Sequence, residues 1–337
     1  MKEQINLIQS WQNKGKRVAL ARVIQTWGSS PRPVGSCMFV SEDGEMAGSV
    51  SGGCVEGAVL KEAKKIFEGA GAKRLFYGVT DDEAWAVGLS CGGKIQVYIQ
   101  PWLSQALSEK IIGFLSENKS CVLVTALVDG ETQNTLLAPG IKPMGDPLPS
   151  LAVEKSWGSF NNRVHASFEM EGREYFIHVF PKRSRMIIIG AAHITSDLVS
   201  LAKQYDFETI VVDPRGTFAR QTMFASPPDQ IMEKYPSEVL NELGIDPYTY
   251  AVILSHDPKI DDDALQVLLR SSVAYIGALG SKKNHEKRTA RLMEKGFSLE
   301  EISKINAPIG LDVRAVGAKE IALSILAAVI KAKNAFN

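Results

Sequence analysis

The chain has 337 residues, 45% hydrophobic and 23% charged, a balance typical of a soluble globular protein with room for two or three domains. Its 38 basic and 38 acidic residues cancel, so no overall positive field draws nucleic acid or an anionic membrane surface. No apolar run is long enough to span a bilayer, and the N-terminal stretch is amphipathic rather than a secretion signal, which predicts a cytoplasmic location. In that compartment the four cysteines are not expected to form structural disulfides. No C-x-x-C pair occurs and the five histidines are scattered, which argues against a structural zinc site.

In chain order, residues 2–13 read as a short helix with Ile5, Ile8 and Trp11 on one face, and residues 17–26 as a partly alternating strand. The stretch TWGSSPRPVGS follows, and the prolines on either side of Arg32 make it a stiff extended loop. Residues 37–40 form a strand and SEDGE a hairpin turn. Gly52 and Gly53 then precede a helix whose apolar face is Val55, Val59, Ala63 and Ile66. A glycine-rich turn entering a helix offers unpaired backbone N–H groups and the positive end of the dipole to an anion. Cys54 lies at that end, where a thiol is drawn toward thiolate, partly opposed by Glu56. A small buried residue under the helix is an equally good reading of Cys54.

Residues 73–79 make a strand, and a tight turn at 89–93 holds Cys91 beside Gly92 and Gly93 ahead of another strand, 95–100. Packing explains such a turn cysteine less readily than function does. Cys37 and Cys121 sit in the strand-like runs SCMFV and SCVLV and are expected to be packing residues. A helix over 103–117, a strand over 122–127 and a loop over 138–157 come next. The run HASFEMEGREYFIHVFP is a hairpin turning at Glu171 and Gly172, with His178 structural. Pro181 and the basic residues up to Arg185 mark a boundary, giving a mixed α/β domain at 1–181 and a second domain at 182–337.

The second domain opens on RMIIIGAAHITSDLVSLAKQYDFETIVVDPRG, which reads as strand, turn, helix, strand and acid, the start of a dinucleotide-binding fold. Of the glycines expected at Gly190, Ala192 and Thr195 only the first is present, so the methyl of Ala192 is expected to crowd a pyrophosphate. On that reading nucleotide binding is weak and Ala192→Gly improves it. A third strand at 250–254 ends in Ser255, His256 and Asp257; a helix at 261–270 has Asp261 and Asp262 as caps; a fourth strand at 273–276 leads to GALGSKKNHEKR. In an open parallel sheet ligands lie outside the carboxyl ends of the strands. Gly190 with His193, Asp213 with Arg215, His256 with Asp257, and Gly280 with Ser281 are therefore expected to converge on one site, with Lys282, Lys283 and Arg288 favouring an anionic ligand. A last apolar helix, with Ile321, Ile325, Ala328 and Val329 on one face, must pack against the body or a second subunit.

Read together, GSSPRPVGS, DGEMAGSVSGGCVEGAV, GLSCGGKIQVYIQP, IIIGAAHIT, VVDPR, ILSHDPKIDD, AYIGALGSKKNHEKR and PIGLD resemble the XdhC/CoxI family, accessory proteins of xanthine dehydrogenase, over most of the chain. The resemblance implies a Rossmann-like second domain and a cofactor-binding chaperone rather than a turnover enzyme. It implies binding of the molybdenum cofactor (molybdopterin), its sulfuration, and its insertion into xanthine dehydrogenase or a related molybdenum hydroxylase. A cysteine desulfurase partner and a homodimer are further expectations. Arg32, Gly52, Gly53, Cys54, Glu56, Cys91 and Gly92 are then the cofactor side, with Cys54 and Cys91 as candidate metal ligands. Two departures stand out: the family's GAGH turn is broken by Ala192, and VRAVGAKEIA replaces a GAKTPEEIA-like segment, with Arg314 in place of a glycine. Two other classes compete with this reading: an NAD(P)-dependent oxidoreductase and a nucleotide-sensing regulator, both using the second domain.

Overall fold

The computed structural model describes residues 2–30, 32–53, 55–78, 93–216 and 224–335. They form two compact units, Met1–Lys182 and Arg183–Asn337, and each hydrogen-bonded sheet lies within one unit.

The first unit holds two antiparallel sheets. Strands β1 (Val18–Trp27), β2 (Cys37–Ser41), β3 (Met46–Gly48), β4 (Lys73–Tyr77) and β5 (Lys94–Pro101) are ordered β3-β2-β1-β5-β4. Strands β6 (Cys121–Ala126), β7 (Gln133–Leu137), β8 (Met144–Gly145), β9 (Ala166–Met170) and β10 (Arg173–Phe180) are ordered β8-β7-β6-β10-β9. Among the described residues each half runs helix, three strands, helix, two strands, so both sheets share one topology. The period-two alternation of the strands gives each sheet two apolar faces. Ala19, Ala21 and Val23 of β1 pack on the helix Glu56–Phe67, while Val18 and Leu20 meet Ile8 and Trp11 of the helix Lys2–Asn13. In the second half Val122 and Val124 of β6 face the helix Ser150–Asn162, and Leu123 faces Leu107 and Ile111 of the helix Gln105–Ser116.

The helix Ser150–Asn162 corrects the loop expected at 138–157. It buries Ala152, Ser156 and Ser159 and lays Val153, Trp157 and Phe160, spaced i, i+4 and i+7, against the second sheet, a stripe that the prolines and glycines just before it masked in sequence; Ser156 Oγ bonds back to Ala152 O.

In the second unit, strands β11 (Arg185–Ile189), β12 (Glu208–Val212), β13 (Gln230–Met232), β14 (Thr249–Ile253), β15 (Tyr275–Ala278) and β16 (Ile305–Asn306) are all parallel, in the order β13-β12-β11-β14-β15-β16. This is the strand order of dinucleotide-binding sheets, reversing direction of growth between β11 and β14. The helices His193–Gln204 and Ala318–Asn334 cover one face, and Pro236–Leu243, Pro258–Leu268 and Lys282–Glu294 the other. The Rossmann-like α/β architecture expected of this half is present. Strands β13 and β16 were not anticipated: three and two residues long at the sheet edges, they carry no continuous apolar run. The last helix finds its partner inside the unit, where Ala322, Ile325 and Val329 meet Leu198, Val199 and Ala202.

Candidate functional site

Antiparallel pairing carries the first unit's marked motifs to one place. β1 ends at Trp27, β2 starts at Cys37, β3 ends at Gly48, β4 ends at Tyr77 and β5 starts at Lys94, all at the same end of the first sheet. Loops 28–36 and 49–55 and both ends of segment 78–93 therefore meet there. Gly93 presses on loop 28–36 so closely that a Cβ would lie 2.2 Å from Ser29 O. Ser49 N–H donates to Cys37 O at 3.0 Å, tying the second loop to the start of β2. Arg32 is exposed on the first loop, where Ser30 Oγ donates to its carbonyl at 2.8 Å. Cys54, Cys91 and Gly92 lie outside the described residues.

At the turn of Gly52 and Gly53, expected to offer its amides to an anionic ligand, the chain supplies its own anion. Glu56 Oε1 accepts from Val50, Ser51 and Gly52 N–H (3.1, 2.9 and 3.1 Å) and from Ser49 Oγ at 2.6 Å. Glu56 Oε2 accepts from Gly53 and Val55 N–H (2.8 and 3.2 Å) and from Ser51 Oγ at 2.5 Å. Gly52 (φ +80°) and Gly53 (φ +132°) bend the loop around that carboxylate. Partial burial disfavours its charge, yet the hydroxyls of Ser49 and Ser51 and the Ser51 amide outweigh burial and hold it well below the usual glutamate range. The backbone donors expected to be free for a cofactor are thus engaged, and Glu56 is the element that shapes the loop.

Beneath this end lies a polar cluster that sequence reading passed over. Arg22, fully buried, stands directly across from Cys37 of β2 and Tyr98 of β5. Its Nη2 donates to Thr125 Oγ1 at 2.7 Å and Gln100 Oε1 at 3.3 Å, and the Phe176 ring lies 5.6 Å from the guanidinium. Nε and Nη1 have no partner among the described residues, and burial pulls the group down to about 10. Cys37 Sγ is 3.9 Å from His178 Nδ1, and the His178 and His165 rings meet edge to face at 4.9 Å. Burial pushes the Cys37 thiol up to about 12, as it does Cys121, so both are the inert packing thiols expected. The signal for Arg22 was available: a cation in the middle of the run VALARVI, where both faces are apolar.

In the second unit the expected residues follow the carboxyl ends of β11, β12, β14 and β15, and of them Asp213 and Arg215 bond to each other. Asp213 Oδ2 accepts from Ala191 N–H at 2.8 Å and Arg215 Nη2 at 2.7 Å; Oδ1 accepts from Arg215 N and Nε at 3.0 and 2.9 Å. Burial works against ionisation of Asp213, but Arg215 and the Ala191 amide hold its carboxyl below the ordinary value. The side chain is fully buried, so a ribose hydroxyl would have to displace Arg215 to reach it. Arg215 Nη1 continues to Ser255 O (3.4 Å), Ser255 Oγ to Asp261 Oδ1 (2.5 Å), and Asp261 Oδ2 to Arg288 Nη2 (3.2 Å).

Gly190 (φ +104°) is required by packing, since a Cβ would sit 2.5 Å from Ser255 Cα. Ala192 is extended at φ −81°, its N–H donating to Thr195 Oγ1 at 3.1 Å. The obstacle to a pyrophosphate here is accordingly different from the crowding methyl expected of Ala192: the turn's amides are already bonded. His193 and His256 are exposed, and His256 adopts φ +60°, an uncommon conformation for a non-glycine residue beside a switch point. Asp257, not Asp261 or Asp262, caps the next helix, accepting from Lys259 N–H at 2.9 Å. Asp261 and Asp262 are buried within that helix and paired with Arg288 and Arg291.

Comparison with known proteins fits this division. The profile of the XdhC Rossmann domain matches residues 186–329, and that of the XdhC and CoxI family matches residues 11–78. The chain belongs to the XdhC and CoxI family. A Bacillus subtilis protein named as a probable subunit of xanthine dehydrogenase is 26% identical over 324 residues, 94% of each chain. The molybdenum cofactor insertion chaperone PaoD of Escherichia coli is 26% identical over 94% of this chain and 83% of its own length. The crystal structure of a protein named as a xanthine dehydrogenase from Bacillus halodurans superposes with a TM-score of 0.76 at 28% identity, covering 98% of this chain and 96% of that one.

The XdhC and CoxI match takes in Arg32, Gly52, Gly53, Cys54 and Glu56, while Cys91 and Gly92 fall beyond its end. The XdhC Rossmann match begins inside β11 and closes in the last helix. Among the described residues no group of histidine, cysteine and carboxylate side chains is arranged to hold a metal ion, and no helix is long and apolar enough to cross a membrane.

Proposed function

We propose that this chain is a molybdenum cofactor chaperone serving xanthine dehydrogenase or a related molybdenum hydroxylase. The observation that carries the reading is that the ends of loops 28–36 and 49–55 and both ends of segment 78–93 lie at one end of the first sheet, in a chain whose relatives include a named cofactor insertion chaperone. The cofactor is a pterin with a dithiolene and a phosphate, and its metal takes soft sulfur ligands. The groups this end has to offer suit it in part. Arg32 is an exposed cation available to the phosphate, and Cys54 and Cys91 are the thiols that flank or reach the site in sequence. Because Glu56 fills the glycine turn, we assign that turn to shaping the loop and leave the phosphate to Arg32. Sulfuration with a cysteine desulfurase, action as a homodimer and a cytoplasmic location belong to the same proposal.

The alternative of an NAD(P)-dependent oxidoreductase is disfavoured by one feature, the engagement of Ala191 and Ala192 N–H by Asp213 and Thr195. The test is to purify the protein from cells that make the cofactor and to measure molybdenum and oxidised pterin fluorescence. Bound pterin that disappears in Cys54→Ala and Cys91→Ala, with melting unchanged, supports the proposal. Stoichiometric NAD(H) and no pterin would overturn it.

A further inference from the structure

The two halves of the first unit leave a groove between them, and its lining joins the second half to a loop of the first. This cavity of about 480 Å³, a size that suits a small molecule, lies between the end of β1 and the edge strand β9. Ile24 and Val34 give it an apolar wall, both packed in one cluster with Phe176. Val34 belongs to loop 28–36, and His165, which also lines the cavity, holds that loop in place. The His165 ring stands where a Cβ on Gly35 would be, with Nε2 2.2 Å from that position. From the other side Val179 N–H of β10 donates to His165 Nδ1 at 3.3 Å.

The polar lining is uncommitted, and its charge is of one sign. The side chains of Gln25, Thr26, Ser167 and Glu169 have no hydrogen-bond partner among the described residues. Glu169 of β9 and Glu174 of β10 stand directly opposite each other, a like-charge pair that disfavours the sheet unless each is answered. Arg74 Nη1 answers Glu174 at 2.7 Å, and among the described residues nothing answers Glu169. Burial and the Arg22 charge lower His165 to about 4, so at neutral pH it adds no cation. Two carboxylates alone would not make a site. Here an unanswered one borders a cavity of ligand size together with an apolar wall, an amide and two hydroxyls. Such a lining repels phosphate and suits an uncharged ring whose edge carries N–H donors.

We propose that this groove binds an aminopyrimidinone ring, its amino group and ring N–H donating side by side to Glu169 while the ring lies against Ile24 and Val34. A carboxylate has lone pairs enough to accept both bonds. The inference deepens the cofactor reading and rests on it for the source of the ring. Arg32 lies two residues before Val34 on the same loop and is exposed. The two positions have opposite requirements, a donor edge for Glu169 and an anion for Arg32, and a pterin bearing a phosphate supplies both. Guanine carries the same donor edge and is the other source to be distinguished.

The experiment is a fluorescence titration of the full chain with free pterin, which has neither phosphate nor metal. Parallel arms use lumazine, in which a carbonyl replaces the amino group, and guanosine as a competitor. Pterin is expected to bind saturably and lumazine about tenfold more weakly. Glu169→Gln should weaken pterin binding by about tenfold, and Ser167→Trp, which fills the groove from an exposed edge position, should abolish it. Guanosine binding more tightly than pterin supports the site and assigns it to a guanine nucleotide. No binding of either ring, equal affinity for pterin and lumazine, or wild-type affinity in both variants would each overturn it. Cofactor that copurifies with the protein and is retained equally by Glu169→Gln and Ser167→Trp would sink the groove and leave the chaperone reading standing.

Discussion

Glu56 does with one carboxylate what the sequence reserved for a ligand. Replacing it with alanine leaves the amides of residues 50–53 and 55 without an acceptor, and the expected loss is about 2 kcal/mol after allowance for the loop's partial exposure. Chemical denaturation of Glu56→Ala, beside a loss of cofactor binding larger than the loss of stability, checks this. Because its folded pKa is depressed, the carboxylate's contribution is complete above the ordinary glutamate value and fades only as pH falls well below it. The two histidines behind Arg22 act in a higher window. Burial lowers His165 from 6.5 to about 4 and holds His178 well below the ordinary histidine value, so the unfolded chain takes up protons first as the medium turns acid. The thermal midpoint is therefore expected to fall between about pH 6.5 and 4, and His165→Phe to flatten that slope. For the thiols, Cys37 and Cys121 should resist alkylation in the native protein at pH 8 and label only in denaturant, which peptide mass spectrometry can follow.

Among the elements, the turn after β11 shows how a motif can be read correctly and for the wrong reason. Its one glycine remains because Ser255 leaves no room for a methyl, so Gly190→Ala is expected to cost about 3 kcal/mol in stability. Ala192→Gly, by contrast, should leave NAD⁺ affinity unchanged in a calorimetric titration, since the donors that would hold a pyrophosphate are bonded to Asp213 and Thr195. Most elements were legible from period alone: β11, the helix His193–Gln204, β12, β14 and the hairpin of β9 and β10 fall within a residue or two of their expected bounds. The hairpin turn at Glu171 and Gly172, with φ of 54° and 72°, is the kind that asparagine–glycine-like pairs announce. The helix Ser150–Asn162 had a period too, in Val153, Trp157 and Phe160, but it was hidden by the proline-rich run that leads into it.

At the scale of the whole molecule, the site was legible as a set of loops, and its chemistry was not. Nothing in GSVSGGCVEG announces that the fourth residue after Gly52 will turn back and take the loop's amides, because that depends on the backbone path of Ser49 through Val55. Nor does sequence show that Asp213, Ser255, Asp261 and Arg288 form one chain of hydrogen bonds across four segments. The independence of the sheets has a testable side. The ten strands described before Lys182 pair among themselves, so a fragment ending there should fold with a cooperative thermal transition of its own by circular dichroism.

The repeated topology of that first unit makes one chain resemble a pair of subunits. Two successive stretches share the strand order 3-2-1-5-4 and meet where Arg22 and Tyr98 of one touch Thr125 and the Ala126 and Val128 carbonyls of the other. They differ in their joints: the second stretch closes its strands with 127–132, 146–149 and 171–172, where the first has 28–36, 49–55 and the sequence 78–93, with its glycines, prolines and thiols. The same scaffold is built twice, once with short joints and once with long ones.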